Sequence, residues 1–348
     1  MGTKRFFAGL VALAGCVDMA QAQTPKPGAL ETYRDWTIGC DNSGHCEAFS
    51  LFPADGVVGD DPTANIGVLR DSGPQAEPEI WAAFEGKGRQ EVSFTIDGQK
   101  VTSATAKDGE VTLKGQQAGA LAVAVARGSR LEMRVGGKLV GSPSLSGSGA
   151  ALRYMDAQQG RAGTVSALIA TGPLARTAVR RSPILPIIRR VKVASGGVQN
   201  FWREELAAIG KLTGCTDEMK DAEPPTQHRL SATETLVLVP CGSGAYNFTS
   251  VPLIATGAAG RRTFRRASFD YQPGWSEDAK NPMLVNAGWE ASLSRLDSFA
   301  KGRGLGDCGS SEAYVWDGGR FRLIEATSMG ECRGAWRWIR TWTAGVVE

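Results

Sequence analysis

Six of the seven cysteines in this chain fall into three sequence-local pairs: Cys40 with Cys46, Cys215 with Cys241, and Cys308 with Cys332. An even set of thiols at such spacings reads as a disulfide framework, because disulfides persist only in oxidising compartments. Many pairings are open to six cysteines, and the three local ones are the expected set. No C-x-x-C occurs, which argues against a zinc ribbon or a thioredoxin-type site.

The seventh cysteine, Cys16, lies in the leader MGTKRFFAGLVALAGCVDMAQAQT. Lys4 and Arg5 form a basic start, and the apolar run Phe6 to Ala14 is too short to span a bilayer. Two processing sites compete. Ala20-Gln21-Ala22 closes a signal peptide over 1–22, whereas Leu13-Ala14-Gly15-Cys16 fits a lipoprotein signal over 1–15 with Cys16 lipidated. Both remain open. Either removes Cys16 from the thiol pool and exports the chain, so a periplasmic protein is expected, with a lipid anchor on Cys16 as its one route to a membrane. No later stretch reaches the roughly 18 apolar residues of a membrane helix.

With 348 residues there is room for two domains. The 44 glycines suit many short strands joined by tight turns. Strand-like segments with Asp97-Gly98, Asp108-Gly109 and Gly136-Gly137 as hairpin turns share residues 31–172 with a helix over QQAGALAVAVARG, where LAVAVA fits a strand equally, a helix over about 149–159, and a strand over TVSALIATG. Residues 173–199 carry three prolines and the pairs Arg180-Arg181 and Arg189-Arg190, which reads as a solvated basic linker. A second domain over 200–348 opens on the helix NFWREELAAIGKLTG, continues in strands, and places a short helix at LSRLDSFAKG. The expected class is α+β, as two mostly antiparallel, disulfide-stabilised domains.

Motifs of chemistry are sparse. Residues 304–309, GLGDCG, have the spacing of a dinucleotide-binding turn, which needs a strand before it and a helix after it. The expected order here is inverted, so no nucleotide or other cofactor is expected and the glycines are read as a sharp turn beside Cys308. Ser298 and Lys301 form a lone S-x-x-K without its companion motifs. The two histidines, His45 in a turn and His228 in a loop, have no second metal ligand nearby. A net charge of +3 is too small to imply nucleic acid. In the tail, strand alternation would put Trp336, Trp338, Arg340 and Trp342 on one face. That face is a candidate for binding a sugar or a protein, against the reading that the indoles complete a core.

The stretches DWTIGCDNSGHCEA, GAALRYMDAQQGRAGTVSALIATG, LVLVPCGSGAYN, KGRGLGDCGSSEAYVWDGGRFRLIEA and MGECRG with the closing tryptophans resemble a bacterial exported family known only as domain-of-unknown-function family 1176. The N-terminal half is also similar to the invasion-associated locus B proteins, through Trp36, Cys40 and Cys46. The resemblance implies an envelope setting and a disulfide-stabilised, two-part build, and supplies no catalytic residues. The expected function is therefore a non-enzymatic envelope protein that binds another envelope component, peptidoglycan or a protein. The rivals are a periplasmic hydrolase using carboxylates such as Asp307, Asp317 or Glu325, and an inhibitor of hydrolases.

Overall fold

The computed structural model describes residues 24–54, 62–193, 197–217, 224–276 and 278–348. The leader, with Cys16 and both cleavage sites, lies outside them.

Ten strands build the first sheet. They are β1 (Leu30–Tyr33), β2 (Trp36–Cys40), β3 (Cys46–Ser50), β4 (Ala64–Arg70), β5 (Pro78–Phe84), β6 (Arg89–Ile96), β7 (Gln99–Lys107), β8 (Glu110–Leu113), β9 (Leu131–Val135) and β10 (Lys138–Gly141). Their spatial order is β1-β2-β3-β4-β5-β8-β7-β6-β9-β10. The turns of β6–β7 and β7–β8 need two left-handed residues in a row, and Asp97-Gly98 (φ 49° and 82°) and Asp108-Gly109 (φ 51° and 81°) supply them.

Helices α1 (Gly115–Arg127) and α2 (Ser148–Gln158) cover one face of this sheet. The spacing of the buried Ala118, Leu121, Ala122 and Val125 is that of a single helical stripe. Every residue of β4 is buried, because the other face of the sheet is covered too. There Phe49, Leu51, Leu69 and Trp81 pack against Cys308, Met329, Ala335 and Ile339 from the far end of the chain.

After β11 (Ile187–Arg189) and α3 (Arg203–Thr213) come two further sheets. One holds β12 (Thr226–Arg229), β13 (Glu234–Ser243), β14 (Phe248–Thr256), β15 (Thr263–Arg266) and the short β16 (Leu284–Val285). The other holds β17 (Gly288–Glu290), β18 (Arg295–Lys301), β19 (Gly309–Trp316), β20 (Phe321–Met329) and β21 (Ile339–Thr343). Leu236, Leu238 and Ile254 of one meet Leu296, Tyr314, Phe321 and Leu323 of the other in a sandwich core. Ile209 of α3 packs on the opposite face of the first of these sheets, against Val237, Val251 and Leu253. The layers thus run helices, sheet, sheet, sheet, helix. The last strand, β22 (Gly345–Val347), pairs in parallel with β11.

The expected α+β class is corrected to mostly β, with 42% strand against 12% helix. One local reading contributes to the difference, and a second departs from expectation in the other direction. The helix expected at LSRLDSFAKG is strand β18, whose inward residues Leu296, Ser298 and Ala300 alternate with half-buried ones; a short apolar run satisfies both periods. The strand expected at TVSALIATG forms no ladder. Its amides at Leu168, Ile169 and Ala170 bond instead to the buried carboxylate of Asp156. Nor is the basic segment a free linker throughout, since Arg190 and Val191 donate backbone bonds to Val347 and Trp316.

Disulfides join Cys40 to Cys46, Cys215 to Cys241 and Cys308 to Cys332, which fits an oxidising compartment. Among the described residues no helix is long and apolar enough to cross a membrane.

Candidate functional site

The turn after β13 is closed by the Gly244 amide donating to the Asn247 carbonyl (2.7 Å), and the Asn247 side chain anchors it to its neighbours. Its Nδ2 donates to the Lys301 carbonyl (2.8 Å), and its Oδ1 accepts from the Lys301 amide (3.1 Å) and from Asn286 Nδ2 (3.0 Å). Asn286 also donates to the carbonyls of Tyr246 and Phe299. These bonds lay Tyr246 over the loop that follows β18, with its hydroxyl 3.5 Å from the Gly302 carbonyl.

Tyr246 thereby becomes one wall of a pocket of about 500 Å³, in the size range of small-ligand sites. Gly274 and Trp275 also line it, with Ala300, Lys301, Gly309 and Ser310 from the paired ends of β18 and β19 as its base. Trp275 is 50% exposed and Tyr246 36%, so both rings are available to solvent on a concave surface. Two sequence stretches meet here, GSGAYN and KGRGLGDCGS. The helix that would have preceded GLGDCG is a strand, and its glycines turn the chain tightly: Gly306 has φ 70°, and a Cβ on Gly309 would collide with the Ala300 carbonyl oxygen.

Beneath the base lies Glu312, buried on the inward face of β19 in register with Ser298. Desolvation pushes its carboxyl up to about 7, although the Ser310 hydroxyl and the Gly274 amide (3.4 Å) both bond to it. Neighbouring Tyr271 and Tyr314 are raised as well, each chiefly by burial. The Tyr314 hydroxyl is buried without a hydrogen-bond partner. Glu312 escaped the sequence reading, although an acid at an inward position of an alternating strand is the signal that marks it.

The carboxylates singled out from sequence are otherwise engaged. Arg303 grips Asp307 with two nitrogens (2.7 and 2.5 Å) while the Gly334 amide donates to it (2.7 Å), and the Arg303 contact holds Asp307 below the usual range. Asp317 accepts from the amides of its own turn, at Gly319 and Arg320, and pairs with Arg322. Glu325 sits within the β20 ladder opposite Ala313 and Thr343.

The four tail residues do not share a face. Trp336 precedes β21, is 42% exposed, and donates its amide to Asn65 Oδ1. The Trp338 ring stacks on Phe299 at 4.7 Å. A bulge at Thr341 puts Arg340 opposite Thr327 and Trp342 opposite Ala326, neighbours on β20 that point to opposite sides. Trp342 accordingly packs on the sandwich core, and Arg340 turns to Asp41. Ser298 bonds to the Val285 amide, and strand alternation directs Lys301 to the other face.

Both histidines are also more enclosed than expected. His228 is on β12, stacked with Trp289, and burial lowers its pKa. His45 Nδ1 lies 2.7 Å from Asp71 Oδ1, and Nε2 is 3.6 Å from Glu47. Among the described residues no three His, Cys, Asp or Glu side chains cluster as metal ligands would.

Comparison with known proteins supports the first resemblance over nearly the whole chain, and the similarity of the N-terminal half to the invasion-associated locus B proteins is not shown by it. A family model described as "Protein of unknown function (DUF1176)" matches residues 30–345. The chain is also 24% identical, over 344 residues covering 90% of it and 92% of the relative, to the uncharacterized protein YpfG of Escherichia coli strain K12. No solved structure matches.

Proposed function

This chain belongs to the DUF1176 family of proteins of unknown function, and we propose that it is an exported, non-enzymatic binding protein of the bacterial envelope. In this reading it works in the periplasm after removal of 1–22, or on a lipid anchor at Cys16 after removal of 1–15. Two units, 31–172 and 200–348, are joined by the segment 173–199, and the second unit holds an envelope polymer in its pocket.

The observation that carries the reading is that two exposed aromatic residues, Tyr246 and Trp275, line one pocket whose Tyr246 side is pinned by Asn247 and Asn286. A rigid concave site with aromatic walls binds without having to order itself first. The hydrolase reading draws less support, because Asp307 and Asp317 are held by arginines rather than free in a cleft.

The test is co-sedimentation of the oxidised mature protein with purified cell-wall sacculi, assaying retained protein and released fragments. Retention without release is expected, together with its loss in a Tyr246→Ala/Trp275→Ala variant that unfolds at the wild-type urea midpoint. Equal retention of that variant would move the site elsewhere. Released fragments would establish an enzyme.

A further inference from the structure

The base of the same pocket narrows the ligand class, on the premise that the pocket is the binding site. Among the described residues that line it, Lys301 is the one ionic side chain, while the rest offers two aromatic rings, a hydroxyl at Ser310 and backbone. A pyranose ring matches this set. Its C–H face lies flat on an indole or phenol ring, and its hydroxyls exchange hydrogen bonds with small polar groups at the edge.

Ser310 stands between the pocket and Glu312. A Cβ built on Gly274 would come 2.8 Å from Ser310 Oγ and 3.6 Å from Glu312 Oε1, so both oxygens converge beneath that glycine. Glu312 is itself buried, and its one side-chain link toward the pocket runs through the Ser310 hydroxyl. We propose that the ligand is an uncharged pyranose of an envelope glycan, that Ser310 donates its hydroxyl hydrogen to it, and that Glu312 is the positioning residue that frees that hydrogen.

The logic is one of hydrogen-bond direction. An ionised Glu312 only accepts, so it claims the Ser310 hydrogen and leaves the ligand facing a lone pair. A protonated Glu312 donates to Ser310 Oγ and leaves the hydroxyl hydrogen free to point into the pocket. With its carboxyl raised to about 7, Glu312 holds its proton at mildly acidic pH and releases it above neutrality. The other groups facing it do not reverse this. Tyr271 and Tyr314 have raised pKa values and stay neutral, and the Asp270 carboxylate is occupied by Arg322 and the Leu323 amide.

The experiment is calorimetric titration of the mature protein with triacetylchitotriose, an uncharged pyranose trimer, at pH 5.5 and 8.5. Wild type is expected to bind about tenfold more weakly at the higher pH, the worth of one hydrogen bond. Glu312→Gln carries a permanent donor and is expected to bind equally at both, and Ser310→Ala weakly at both. A wild-type affinity that ignores pH, or a Glu312→Gln variant that keeps the wild-type dependence, would overturn the role of Glu312. Retention on sacculi without chitotriose binding, or with displacement by a free stem peptide, would overturn the sugar while leaving the envelope-binding reading intact. Failure of retention as well would remove both.

Discussion

Arg340 Nε lies 2.6 Å from Asp41 Oδ2, and the two residues are 299 positions apart. The Asp41 carboxylate is fully enclosed, its other oxygen accepting from the Ser43 amide and hydroxyl and from the His45 amide. One residue from the first disulfide, a buried charge of the N-terminal sheet is therefore neutralised by the last strand of the C-terminal one. Beside it the Arg340 amide donates to Glu47 Oε2 at 2.7 Å.

Arg340→Ala strands that charge. Removing one partner of a buried pair typically costs about 3–5 kcal/mol; Arg340 is itself partly solvated, so a loss of roughly 2 kcal/mol is expected by urea denaturation. Arg337→Ala is the comparison, since its guanidinium only lies over the Trp81 and Phe49 rings and exposed cation–π contacts are worth roughly 0.5–1 kcal/mol. Equal losses in the two variants would show that the Asp41 pair adds nothing of its own.

Acidity is predicted to stabilise this junction. His45 has a raised pKa because bonds to Glu47 and Asp71 outweigh burial, which is the largest single influence and acts in the opposite direction. A group raised on folding contributes most below its unfolded value, near 6.5, and its contribution fades as pH rises through the folded value. Urea midpoints of wild type are expected to fall across that window more than those of His45→Gln. Parallel curves would remove His45 from the account.

Glu312 adds a slope of the same sign in a lower window. Its unfolded pKa is near 4.5 and its folded value about 7, so folded chains keep a proton that unfolded chains have released. Stability falls as pH climbs between those values, by at most about 3 kcal/mol. Glu312→Gln should flatten that segment of the profile, and a profile unchanged by the substitution would refute a buried proton there.

Loop length ranks the disulfides. Cys308–Cys332 closes 24 residues and Cys40–Cys46 only 6. By loop-closure entropy the first is worth about 3.4 kcal/mol and the second about 2.2 kcal/mol. Double alanine variants compared by urea midpoint should follow that order. The reverse order would mean that the short bridge acts through native contacts at the Asp41 junction.

How far the sequence foretold the structure depended on the range of the interactions involved. Asp97-Gly98 and Asp108-Gly109 announce their turns because left-handed pairs are a local demand. Helices are legible at QQAGALAVAVARG and about 149–159, although periodicity alone lets LAVAVA be a strand as well. What stayed hidden was set by distant partners. Strand β5 pairs with β8 across an intervening hairpin. Segment 164–172 looks strand-like, yet its amides turn to Asp156. Arg161 is fully buried, serving Gln159 and the carbonyls of Asp71 and Gly73; a lone arginine in sequence gives no hint of such partners. The tail tryptophans misled for a comparable reason, since one bulge at Thr341 separates Arg340 from Trp342 and no residue type there marks it.

The clamp between the two ends also sets an order of assembly. Ribosomes deliver β1 to β5 long before Arg333, Trp336 and Arg340, yet the Asp35, Asn65, Asp41 and Glu47 side chains receive bonds from those late residues. The Gly28 amide, just ahead of the first strand, waits for the Thr341 carbonyl. A nascent chain stopped short of residue 333 thus exposes the apolar face of Phe49, Leu69 and Trp81 together with buried acids that have no counter-charge. The second face of the first sheet is therefore closed by the chain's own late residues, up to Thr341 in β21.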